Sequence, residues 1–122
     1  MRMLKPTCPV DYSLCDQTVT VYHQEDGTYT RTVHKRAFLD FKKTQSVDKT
    51  GSKEANSFLL VIPGDTQAVF CGDKVLLGVG EEILTREQWA ALVPTKRPGL
   101  VVVSYVDCKY WKGKMIHTEA GG

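Results

Sequence analysis

No stretch of this sequence approaches the run of about 18 apolar residues that a membrane-crossing helix needs. The opening "MRMLKPTCPVDYSLC" lacks the apolar core of a secretory leader. The expected setting is therefore a cytoplasm, or a particle assembled in one. Cysteine occurs only as Cys8, Cys15, Cys71 and Cys108, with no C-x-x-C pair and no histidine at zinc-finger spacing. Free thiols are expected where nothing marks secretion. A Cys8–Cys15 bridge stays open, because both lie in one short irregular segment.

The signatures of catalysis are also missing: no G-x-S-x-G, no phosphate-binding Walker loop and no H-E-x-x-H. His23, His34 and His117 each fall within a strand pattern. His23 and His34 lie on neighbouring strands of one hairpin, but two histidines without a third ligand do not hold a metal. Cys71 and Cys108 act as nucleophiles only beside a positioned base, and Cys71, following Phe70, reads as a small buried hydrophobe. Asp65 and Asp73 stand in glycine-containing turns, where a carboxylate caps the backbone. The expectation is a protein without catalytic residues, metal or cofactor. One further shortage is local. Between Phe41 and Phe58 the only sizeable apolar side chain is Val47.

What is present suits one soluble domain. The chain has 122 residues, 42% hydrophobic and 25% charged, enough to bury a core without metals or disulfides. The net charge of +2 is unevenly spread. Residues 31–53 and 94–115 are rich in Lys and Arg, whereas acids dominate residues 54–93. Such polarity suits charged neighbours, although charge alone reads first as a mixed solvated surface.

Residues 1–15 carry Pro6 and Pro9 and no period, which predicts an irregular arm with Leu4, Val10, Tyr12 and Leu14 available for docking. "QTVTVYHQ" alternates Val19 and Val21 with Thr18, Thr20 and Tyr22, a strand pattern. Asp26-Gly27 supplies the backbone of a tight hairpin turn, and "YTRTVHKR" returns with Tyr29, Arg31 and Val33 on one face. "AFLDF" continues as strand, and "SFLLVIP" reads as a buried one. Pro63-Gly64-Asp65 and Gly72-Asp73 are turns around a short strand at residues 74–77, with "GVG" allowing a bend.

One helix is predicted, over residues 85–93. Thr85 and Gln88 form a capping box, Leu84 and Trp89 match a hydrophobic staple, and Pro94 ends it. Residues 100–106 form the strongest strand pattern, "DCKYWKG" reads as a turn with two aromatics, "KMIHTEA" is the last strand, and Gly121-Gly122 read as a flexible end. Six or seven short strands with one short helix predict a small antiparallel β-barrel or sandwich.

Two readings of the closing aromatics stand side by side. Tyr105, Tyr110 and Trp111 lie near Lys109, Lys112 and Lys114, a mixture that stacks bases and contacts phosphates on single-stranded nucleic acid. Alternatively, Tyr110 and Trp111 close one end of the core.

The order "QTVTVYH", "AFLDFKKTQSVDKTGS", "SFLLVIPGD", "GDKVLLG", "TREQWAAL" and "GLVVVSYVDCKYWKGKMIHTEAGG" resembles the minor capsid proteins encoded in the head-to-tail gene cluster of tailed phages and prophages of Gram-positive bacteria. The resemblance runs over residues 17–122, and "HTEAGG" is its most distinctive piece. It implies a structural subunit of the phage neck at the head-tail interface of the virion. That role is a head-completion or stopper connector, a small β-barrel forming a homo-oligomeric ring. The implied neighbours are a portal or adaptor protein on the head side, a tail-terminator or tail-completion protein on the tail side, and the viral double-stranded DNA in the channel. No membrane is involved. Tyr110, Trp111 and Lys112 are the candidate assembly residues.

In that wider group a long loop between two strands can project into the DNA channel. Here the matching position is residues 42–56, whose Lys42, Lys43, Lys49 and Lys53 would form a basic collar when copied around a ring. The composition cannot build a core of its own. A projecting channel loop and a disordered surface hairpin are both compatible with it.

Overall fold

The computed structural model describes residues 12–46 and 53–122. They form a curled half-barrel of seven antiparallel strands with one short helix. In chain order the elements are β1 (Gln17–Glu25), β2 (Thr28–Ser46), β3 (Lys53–Pro63), β4 (Lys74–Leu77), α1 (Arg86–Ala91), β5 (Leu100–Val102), β6 (Tyr105–Trp111) and β7 (Lys114–Gly121). Across the sheet the order is β5-β4-β1-β2-β3-β7-β6. The two edge strands are thus consecutive in the chain. A flat sheet of this width would hold its edges about 29 Å apart at 4.8 Å per strand, whereas the link from Val102 to Tyr105 spans at most about 11 Å. The sheet must curl. The seam is fastened where the Val103 N–H donates to Asp73 O (2.9 Å) and the Ser104 N–H donates to Gly121 O (2.8 Å).

Residues 100–106 are therefore not one strand. The chain breaks at Val103-Ser104 and crosses from one edge to the other. Nor is "DCKYW" a turn. It is the body of β6, and the turn is Lys112-Gly113, both at positive φ. Asp26-Gly27 makes the equivalent turn between β1 and β2, again with both φ positive, the primed geometry that follows the twist of a hairpin. Gly121 is no flexible end. It pairs with Tyr105 in the β6–β7 ladder, and the Tyr105 ring lies against it where a side chain would stand.

The alternation in β1 predicts one buried face, but Val19, Thr20, Val21 and Tyr22 are all buried. Val19 and Val21 join Leu39, Leu60, Val75 and Val101 in the main core inside the curl. Tyr22 belongs to a second cluster with Leu76, Ile83, Leu92 and Leu100, against which Tyr29 and Trp89 pack. The excursion carrying α1 covers the outer face of β1 and β4. Each such side chain removed from water contributes about 1.5–3 kcal/mol, so this second layer is a large share of a small domain's stability.

The helix is shorter than expected, six residues. Its capping box is formed: the Gln88 N–H donates to Thr85 Oγ1 (3.1 Å), and Gln88 Oε1 accepts from the N–H of Thr85 (3.1 Å) and of Leu84 (2.8 Å). The staple does not bury Leu84, which is 72% exposed.

The polar segment differs most from expectation. The β2–β3 ladder continues from Lys42↔Ser57 to Ser46↔Lys53. The β1 partner of β2 ends at Ala37, and the β7 partner of β3 begins at Leu59. The chain here is a two-stranded ribbon running roughly 15 Å beyond the sheet, not a structureless loop. Backbone pairing needs no apolar side chains, which is why a polar sequence can follow it. Residues 47–52, with Lys49, lie outside the described residues, as do residues 1–11 of the amino-terminal arm.

Candidate functional site

The ribbon places Lys42 opposite Ser57, Lys43 opposite Asn56 and Lys53 opposite Ser46. Three of the four candidate channel lysines thus lie on the ribbon, two on β2 and one on β3. The other sequence candidates lie at the β6–β7 turn. Tyr110 is 65% exposed and Trp111 is half-buried. Neither ring joins a core cluster, so they do not close the core. The Lys112 ammonium sits 4.9 Å from the Trp111 ring centroid, a cation–π contact within a tight turn. Tyr105 is also exposed, at 52%. Between these aromatics Lys109 is tied to Asp107 (2.6 Å), which holds its ammonium pKa above the usual range.

The histidines do not meet. His23 pairs with Thr30 and His34 with Val19. His34 Nε2 is buried with no hydrogen-bond partner, and burial holds its pKa down. His23 instead meets Asp73, Nδ1 to Oδ1 at 2.5 Å, while Nε2 lies 3.6 Å from Glu25. The hydrogen bond to Asp73 raises the His23 pKa, against the opposing effect of burial. Asp73 is buried and does cap its turn, Oδ2 accepting from the Phe70 N–H (2.9 Å). It therefore joins β1, the turn before β4 and, through its carbonyl, the seam at Val103. No local pattern reveals this link, because its partners are fifty residues apart.

A second histidine cluster lies on the outer face of β7. His117, almost fully buried, holds Tyr12 Oη at Nδ1 (2.6 Å) and Glu119 at Nε2 (3.1 Å). These residues line a cavity of about 280 Å³ together with Cys15, Phe38 and Val61. A cysteine and a histidine share the cavity, but both ring nitrogens are engaged, and burial pushes the Cys15 thiol pKa up. A thiol held protonated is a poor nucleophile. Cys71 is exposed rather than buried, its Sγ 3.6 Å from Ser104 O. Cys15, Cys71 and Cys108 are all free thiols. Among the described residues no three ligating side chains gather to hold a metal, and no helix is long and apolar enough to cross a membrane.

The third assembly surrounds α1. Lys74 is buried along its stem. Its ammonium donates to Trp89 O (2.7 Å) and lies 4.6 Å from the Trp89 ring centroid, and burial lowers its pKa. Tyr29 packs on Trp89 at 5.7 Å between centroids. Nearby, Arg97 grips Glu81 through both guanidinium nitrogens (2.6 and 2.7 Å), and this pairing holds the Glu81 carboxyl down at about 2.

Fold and site together define a small curled antiparallel half-barrel with a projecting polar ribbon. The chain belongs to the family of unknown function DUF6751, whose model matches residues 14–122. No curated protein and no solved structure matches it.

Proposed function

We propose that this protein is a structural subunit of a tailed-phage neck, a head-to-tail connector or stopper. In this reading it forms a ring below the portal and adaptor, retains packaged DNA and offers the surface to which the tail attaches. It performs no catalysis. The observation that carries the reading is the ribbon of β2 and β3, which leaves the barrel and bears lysines at positions 42, 43 and 53. Repeated around a ring, these ribbons surround the channel with positive charge. They attract the phosphates of passing DNA without reading its sequence. The resemblance over residues 17–122 supports the same role.

The test is a phage particle assembled without this protein. Heads that lose their DNA and fail to join tails are expected. Heads that keep DNA and join tails normally would refute the reading. A second reading, a single-stranded nucleic-acid-binding barrel, is favoured by the exposure of Tyr105 and Tyr110 on β6. It requires oligonucleotides to quench tryptophan emission of the isolated protein in a salt-dependent way. The Asp107 carboxylate beside Lys109 opposes that surface.

A further inference from the structure

A groove of about 700 Å³ lies between the β1–β2 turn and α1. Its lining includes Tyr29, Trp89, Leu84 and Arg86. Three features set it apart from ordinary surface. Leu84 is a large aliphatic side chain left mostly in water. Trp89 is half-buried, its ring held by Lys74 and Tyr29, so it presents a pre-ordered wall. The lining combines Trp, Tyr and Arg, the residues that most often carry binding energy at protein interfaces. In the chain next to it, exposed carboxylates outnumber cations. The exposed Glu25 and Asp26 adjoin lining residues Gln24 and Gly27, and the exposed Glu82 and Glu87 flank Leu84 and Arg86 in sequence. Against these four carboxylates stand two cations, Arg86 in the lining and the Lys74 ammonium behind the Trp89 ring.

We propose that this groove docks a segment of a partner protein in which one aliphatic side chain is flanked by lysines or arginines. The aliphatic group covers Leu84 against the Trp89–Tyr29 wall, where apolar burial supplies the affinity. The flanking cations meet the acidic rim, which steers the approach and excludes acidic segments. The groove lies on α1, away from the lysine ribbon, so the proposal stands apart from the DNA-channel reading.

The test uses the full chain carrying Trp111→Phe, so that emission reports Trp89 alone. The probe is a capped peptide with one leucine between two pairs of lysines, and the control has glutamates in place of the lysines. A saturable shift of Trp89 emission with the lysine peptide is expected, weakening as salt is raised. Leu84→Ser should weaken binding about tenfold, and Glu82→Gln with Glu87→Gln about three- to fivefold. All three residues are exposed, so the fold should survive. Equal binding of the glutamate peptide, no saturable shift, or binding unchanged by Leu84→Ser would each overturn the proposal. So would Leu84-dependent self-association without peptide, which would make a second copy the occupant.

Discussion

Gly80 and Tyr22 offer a sharp test of how the outer layer is built. The Tyr22 side chain is fully buried, and its hydroxyl donates to Glu81 O (2.7 Å). Burial raises the phenol pKa, so the group is a neutral donor. A Cβ added at Gly80 would collide with this hydroxyl and would lie 2.8 Å from Leu76 Cδ2. The Gly80 backbone is itself held at both ends, its N–H donating to Thr20 Oγ1 (2.9 Å) and its carbonyl accepting from Arg31 Nε (2.7 Å). It cannot retreat without losing those bonds. Gly80→Ala should therefore cost about 2–3 kcal/mol, the upper range for overpacking a filled site. Tyr22→Phe should cost about 1–2 kcal/mol for the lost hydrogen bond and the Glu81 carbonyl left behind. In the double variant the hydroxyl that blocks the new methyl is gone. The combined cost should then fall short of the sum by about 1 kcal/mol, well outside the roughly 0.3–0.5 kcal/mol scatter of independent sites. Urea unfolding of the four proteins measures this directly. Strict additivity would mean that Gly80 is required for some reason other than the room taken by the Tyr22 hydroxyl.

The histidines should give opposing pH responses. The His23 pKa is raised in the fold, so its contribution is complete below its unfolded value of about 6.5 and is lost as pH rises through the higher folded value. In melting curves taken across that window, His23→Gln should therefore cost most on the acid side. The His34 pKa is lowered, so its protonation weakens the fold as pH falls below about 6.5, and His34→Gln should flatten that acid loss. Deleting residues 44–53 should leave the barrel's melting temperature within a few degrees, because in the described registers β2 pairs with β1 only up to Ala37 and β3 with β7 only from Leu59; failure to fold would place a core element there. Thr85→Ala should cost about 1 kcal/mol by chemical denaturation, through loss of the capping box. The proposed neck role predicts that replacing Lys42, Lys43, Lys49 and Lys53 with alanine increases DNA leakage from assembled particles, whereas retention equal to wild type would count against the collar.

Much of the architecture follows from local pattern alone. Asp26-Gly27 must turn because its backbone conformation is disfavoured elsewhere, and β-branched alternation on either side makes the strands of the first hairpin. The capping residues Thr85 and Gln88 begin the helix wherever it is placed. The polar composition of residues 42–56 supplies no core of its own. Tertiary structure decided what lay beyond the reach of neighbouring residues. Residues 100–106 are one apolar run, yet they break at Ser104 because a curled sheet needs its edges joined by a short link. Both faces of β1 are buried because a distant excursion folds over Tyr22. The partnership of His23 with Asp73 and the wall built from Tyr29, Lys74 and Trp89 join side chains from separate strands and the helix. Their chemistry is written in the sequence, but their proximity exists only once the sheet has curled.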